Sequence, residues 1–130
     1  MRFVVDHAEQ QNQMILVTGE TSVGRIKGIW KGAEPPVIGS GYHIELGMTF
    51  PCEIDISQEK QRAPYVMFQN DKVMFLGVCE EMDEDVYYLR FDIDWLEMLD
   101  INAVYSGKKA GDVVSFSVSI YDVEIYPYSL

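Results

Sequence analysis

Basic residues are scarce in this chain. Its 130 residues carry 10 Lys and Arg against 21 Asp and Glu, a formal net charge of −11. Affinity for nucleic acid rests mainly on Lys and Arg displacing counterions from phosphates, so this balance opposes nucleic acid and favours a basic protein surface. Histidine is scarcer still: His7 and His43 are the only two, and neither has a Cys, Asp or His partner at metal-ligand spacing, which argues against a zinc site. The two cysteines, Cys52 and Cys79, lack CxxC spacing and sit in apolar, strand-like segments. They read as half-buried free thiols of a cytoplasmic protein rather than as a disulfide. Long hydrophobic runs are missing, since the longest, around residues 73–79, is far too short to cross a bilayer. The early charges in Met1-Arg2-Phe3-Val4-Val5-Asp6-His7 break any signal-peptide pattern, so neither membrane insertion nor export is expected.

Catalytic patterns are also missing. The chain has no GxSxG, no HExxH and no Gly-rich dinucleotide loop, and Gly19-Glu20-Thr21-Ser22-Val23-Gly24 lacks the lysine and following helix of a phosphate loop, so it reads as a turn. No cofactor and no enzymatic activity are expected. What remains is ordinary globular material: 48% hydrophobic and 24% charged residues, enough to bury one core and too apolar for disorder. Residues 1–130 are expected to form a single β-rich domain.

Period-two alternation with β-branched and aromatic enrichment dominates. It predicts strands over residues 2–7, 14–18, 24–31, 42–46, 52–56, 65–69, 72–80, 86–93 and 113–125. Gln69-Asn70-Asp71-Lys72 reads as a tight hairpin turn because Asn and Asp tolerate left-handed backbone, and Glu81-Met82-Asp83-Glu84-Asp85 reads as the tip of the next hairpin. Two prolines and three glycines exclude regular structure from residues 32–41. In the last strand the apolar phase slips by one residue, from Val114, Phe116, Val118 and Ile120 to Tyr121, Val123 and Ile125. A bulge or bend at residues 120–122 would absorb the slip. One helix is predicted: Asp94 and Glu97 have the residue types of a capping box, with Trp95, Leu96 and Leu99 on one face of a short helix ending near residues 101–102, followed by a loop over residues 106–112. The expected architecture is mainly β, a small Greek-key or OB-like barrel or sandwich with one short helix.

Charge is concentrated between Glu80 and Asp100, where nine acids face one base, Arg90. The expected partner-binding residues are Glu80, Glu81, Asp83, Glu84 and Asp85 at the hairpin tip, Asp92 and Asp94 on the solvent side of the following strand, and Glu97 on the short helix. Tyr88, on the same face as Arg90 and Asp92, is the expected aromatic anchor, since charge alone seldom holds a complex together. The acidic run lacks the turn glycine and spaced glutamate of an EF-hand loop, so a metal is not expected there. His43 and Glu45 share a strand face and could in principle act as a base pair, though a surface pair is the simpler reading. Eight tyrosines, with Tyr121, Tyr126 and Tyr128 crowding the C-terminus, suit an interface. The alternative function rests on Arg25-Ile26-Lys27-Gly28-Ile29-Trp30-Lys31, a basic and aromatic strand that could stack oligonucleotide or oligosaccharide on an OB-like face.

In general character, being small and acidic with no recognisable active site, the whole chain resembles bacterial immunity proteins, the cytoplasmic inhibitors of nuclease toxins. That resemblance implies binding without catalysis, with acids and tyrosines filling a toxin's phosphate-binding cleft. It carries no motif, and the acids above come from the charge count and hairpin reading alone.

Overall fold

Alternating side chains put one face of most strands on a common core, and the computed structural model, which describes residues 1–57, 62–100 and 111–128, shows the result as eleven strands. They are β1 (Arg2–Gln11), β2 (Met14–Thr21), β3 (Gly24–Trp30), β4 (Gly41–Met48), β5 (Cys52–Ser57), β6 (Tyr65–Gln69), β7 (Lys72–Asp83), β8 (Val86–Asp92), β9 (Trp95–Asp100), β10 (Val113–Ser119) and β11 (Val123–Tyr128). The only helical feature among the described residues is a single 3-10 turn, Ile120–Asp122.

Five strands close a mixed barrel. β1 pairs antiparallel with β2, β2 with β3, β11 with β4, and β4 back with β1, while β3 and β11 join in parallel through Glu124↔Ile29 and Ile125↔Trp30. Closure removes the exposed edges that an open five-stranded sheet would carry. The small barrel predicted from alternation is therefore present. Its wall is built by period-two burial: Ile26, Gly28 and Trp30 of β3 turn inward with Phe3 and Val5 of β1.

Between β4 and β11 the chain leaves the barrel and builds a second sheet. β6, β7, β10 and β5 run side by side, all antiparallel, and the far half of β7 continues into the meander β7–β8–β9. Parallel pairing of Gly24 with Val66 links this sheet to the barrel. Its buried face carries an aromatic ladder. Phe116 stacks on Phe75 at 5.1 Å, Phe75 meets Phe91 edge-on at 6.1 Å, and Phe91 stacks on Trp95 at 4.8 Å, tying β10, β7, β8 and β9 together. These rings and the barrel interior belong to one contiguous core.

The turn chemistry is realised where it was expected. Asn70, in the β6–β7 hairpin, has φ 56°, and Glu84, between β7 and β8, has φ 54°. The second turn is tighter than predicted, because β7 runs on to Asp83 and pairs it with Val86, leaving Glu84 and Asp85 as the tip. The bend expected in the last strand is the 3-10 turn Ile120–Asp122, capped by Ser119, whose hydroxyl accepts from the Tyr121 amide.

The short helix from Asp94 is a correction. Trp95–Asp100 is strand β9, paired with β8 through Tyr87↔Leu99, Tyr88↔Met98 and Arg90↔Leu96. Local capping chemistry loses here to tertiary burial: Trp95, Glu97 and Leu99 turn inward at period two while Leu96 and Met98 are exposed, whereas a helix would have buried Leu96 together with Trp95 and Leu99. Asp92 caps the turn itself, accepting from the Ile93 amide at 2.7 Å. The predicted helix end and most of the following loop lie outside the described residues.

Candidate functional site

The meander β7–β8–β9 has two faces of different character. Tyr87, Leu89 and Phe91 of β8, with Trp95 and Leu99 of β9, point into the core. Tyr88 and Arg90 of β8, with Leu96 and Met98 of β9, point outward, and register sets Tyr88 directly opposite Met98 and Arg90 opposite Leu96. Met98 is 68% exposed and Leu96 43%, so this face presents a large apolar side chain at its centre instead of polar ones. Acids surround it. Glu81 pairs with Tyr88 across β7 and β8, Asp83 and Asp100 each pair with Val86 from either side, and Glu84 and Asp85 form the tip. All five are exposed. Arg90, the one base of the stretch, is bound by Glu80 at 2.8 Å.

The nine residues singled out in the sequence divide into two groups. Glu80, Glu81, Asp83, Glu84, Asp85 and Tyr88 lie together on or beside the outer face. Asp92, Asp94 and Glu97 are engaged elsewhere. Asp92 accepts from the Ser22 hydroxyl of the β2–β3 turn and from the Ile93 amide, two bonds that hold its carboxyl below the usual carboxylate range. Asp94, at the β8–β9 turn, is 3.7 Å from the N-terminal ammonium of Met1. Glu97 belongs to the inward-facing set of β9, where it accepts from the indole N–H of Trp95 at 2.9 Å. Burial pushes its carboxyl up to about 7; the Trp95 bond opposes the rise, Glu45 adds to it and the N-terminal ammonium opposes it.

Sequence reading missed Leu96 and Met98, because it placed them on a helix. Residues 95–100 carry two apolar residues and one acid on each strand face, so alternation gives no signal there, and the pairing with β8 decides which face is outward.

A cleft of about 290 Å³ lies between β4 and β9, lined by Ile44 to Leu46 and Asp94 to Glu97 together with Met1 and Tyr128. His43, on the exposed face of β4, packs its ring 6.1 Å from that of Tyr128, while Glu45 shares the cleft with Glu97. A second cleft, of about 270 Å³, runs past Trp30, Pro35, Tyr42, Pro127 and Tyr128.

The basic strand β3 and its extension are internally compensated. Nη2 of Arg25 donates to both carboxylate oxygens of Asp6 at 2.8 and 2.7 Å, Lys27 is 3.0 Å from Glu9, and Lys31 is 3.1 Å from Glu124. Trp30 is 7% exposed, packs edge-on against Tyr42 at 4.9 Å and donates its indole N–H to the Glu34 carbonyl at 2.7 Å. A stacking platform needs an open ring and cations free for phosphate, and this strand commits both to the protein itself.

Among the described residues no three His, Cys, Asp or Glu side chains converge as a metal site requires. Nor is any helix among them long and apolar enough to cross a membrane. Both described cysteines are free thiols, Cys52 exposed and Cys79 buried. No protein-family model, curated protein or solved structure matches the chain.

Proposed function

We propose that this chain is a non-catalytic binding protein that captures a basic protein through the outer face of β7–β8–β9, as a cytoplasmic inhibitor of the immunity type would capture a nuclease toxin. The observation that supports this reading most is the opposed pair Tyr88 and Met98, with Leu96 beside it, set in a ring of exposed carboxylates. Interfaces draw most of their binding energy from a few apolar or aromatic anchors at the centre and use surrounding charge to steer the encounter and select the partner. This face combines both elements on one rigid sheet whose reverse side is locked into the core. Its carboxylates repel one another in the free protein, and a cationic partner relieves that repulsion.

The reading is tested by affinity capture from the native host with the wild-type chain and two variants. One is Tyr88→Ser with Met98→Ser; the other changes Glu81, Asp83, Glu84 and Asp85 together to Ser. Support requires that retention of a basic protein by the wild type falls with both variants while their melting curves match. If retention is indifferent to both sets of changes and to salt, the face does not bind.

A further inference from the structure

Register divides the outer face of β7–β8–β9 into three rows. Val78, Arg90 and Leu96 make the first, Glu81, Tyr88 and Met98 the second, and Asp83, Val86 and Asp100 the third. The carboxylates are denser toward one end. The third row sets Val86 between two exposed acids, with Glu84 and Asp85, also exposed, just beyond it in the β7–β8 turn. In the first row the charged group is Arg90, held by Glu80, and beyond that row the β8–β9 turn carries Ile93. Ile93 is 91% exposed, more than any other large apolar side chain among the described residues.

The turn that presents Ile93 is braced. Nη1 of Arg90 donates to the carbonyls of Asp92 and Ile93 at 3.4 and 3.3 Å, and the Ile93 amide donates to the Asp92 carboxylate at 2.7 Å. Asp92 also accepts from the Ser22 hydroxyl, and Asp94 faces the Met1 ammonium, so the two acids flanking Ile93 are engaged within the protein. A side chain on a turn held in this way loses little further freedom when a partner covers it. The face is therefore apolar at one end and acidic at the other, and the seven residues of β8 between them span about 24 Å at roughly 3.4 Å per residue.

We propose that this face takes a polypeptide segment lying lengthwise along β8, its apolar side chains covering Ile93 and Leu96 and its arginines or lysines reaching the third row. A cationic head set over Val86 there has a carboxylate on either side, Asp83 and Asp100. The inference rests on the docking reading and adds the chemistry and direction of the bound segment. Charge complementarity selects this occupant. A uniformly basic segment would set cations against Ile93 and Leu96, and a uniformly apolar one would cover Asp83 and Asp100 without pairing them; each mismatch costs desolvation. A segment whose apolar and basic residues are separated along its length meets neither cost.

The test uses a pair of synthetic peptides of about nine residues, capped at both ends and identical in composition. One carries leucines in one half and arginines in the other, and the second interleaves them. Each is titrated into the wild-type chain at low salt and followed by amide and methyl NMR shifts, with a nitroxide label at the arginine end of the separated peptide. That peptide should bind on the order of tenfold tighter than the interleaved one, and its label should broaden Val86 and Asp100 while sparing Ile93. Ile93→Ser should weaken the separated peptide by about fivefold and leave the melting curve unchanged, since the side chain is exposed. Equal affinities, broadening centred on Ile93, or an outer face whose shifts do not move would each overturn the lengthwise arrangement. Loss of order beside intact, Tyr88- and Met98-dependent capture overturns that arrangement alone. Capture indifferent to both sets of changes overturns the docking reading and the arrangement with it.

Discussion

The indole N–H of Trp95 donates to the carboxyl of Glu97 at 2.9 Å, two residues along the same face of one strand. This bond favours the ionised acid, yet burial outweighs it, and the carboxyl rises from its ordinary 4.5 to about 7. In the folded chain Glu97 thus holds its proton at pH values where the unfolded chain has lost it. Its contribution to stability is complete below about pH 4.5 and is lost as pH rises through about 7. Urea unfolding at pH 5 and pH 8 should show the wild type weaker at the higher pH by about 1–2 kcal/mol from this group. Glu97→Gln should be nearly level across the same interval. Asp92 shifts in the opposite direction, so its effect appears only in stronger acid. A wild type that gains stability from pH 5 to 8 while Glu97→Gln does not would contradict the assignment.

On the outer face, Tyr88→Ser with Met98→Ser should weaken partner capture by about tenfold or more at any ionic strength, because apolar anchors act chiefly on dissociation. The four-acid variant at Glu81, Asp83, Glu84 and Asp85 should instead slow association and flatten its salt dependence. Surface plasmon resonance against the captured protein at low and high salt separates the two effects.

Phe91 touches both Phe75 and Trp95 and so links β8 to the rest of the aromatic ladder. Phe91→Ala should cost about 3–5 kcal/mol, the transfer energy of the ring plus the cavity it leaves. Phe91→Leu should cost much less. Equilibrium urea unfolding followed by tryptophan fluorescence gives both values, and a cost for Phe91→Ala under about 1 kcal/mol would mean that the ladder does not tie the meander to the core.

Gly24 sits where β3 meets β6. Its φ is 138°, and a Cβ there would lie 1.9 Å from the Val66 carbonyl oxygen, a backbone atom bound into its own strand. The Val66 backbone cannot yield, so Gly24→Ala should destabilise the fold by about 3 kcal/mol. The Val66 amide, which donates to the Val23 carbonyl at 3.0 Å, should lose protection first in hydrogen exchange.

The two thiols should differ sharply toward an aromatic disulfide reagent. Cys52 is exposed, its sulfur 3.2 Å from the Ser117 hydroxyl, whereas Cys79 is buried and burial, with Asp112 nearby, pushes its thiol up. The thiolate is the reacting species, so one equivalent should react quickly in the native chain and the second only on unfolding. Two fast equivalents would place Cys79 outside the core.

Local signals in this sequence carried the fold a long way. Alternation located the strands at positions such as β6, with the predicted and observed limits both at residues 65 and 69, and Asn70 marked its turn. The one-residue phase slip before Val123 correctly announced the bend at Ile120–Asp122. Phase and turn chemistry are properties of neighbouring residues, so they are visible before folding.

Other features are decided by groups far apart in the chain. Whether Asp94 caps a helix or leads a strand depends on β8 offering Trp95 and Leu99 a flat apolar partner, and β8 prevailed over local capping preference. Asp92, Asp94 and Glu97 belong to the same acidic run as Glu81 and Asp83, yet Ser22, the Met1 ammonium and Trp95 draw them away from the outer face. Charge count and strand phase were thus set by the sequence itself: a mainly β barrel with an acidic stretch on one meander. Which of those acids remain free, which is driven toward neutrality and which apolar side chains stand among them were decided only by tertiary structure. Desolvation and ion pairing depend on what distant strands bring within a few ångströms, and no local pattern records that.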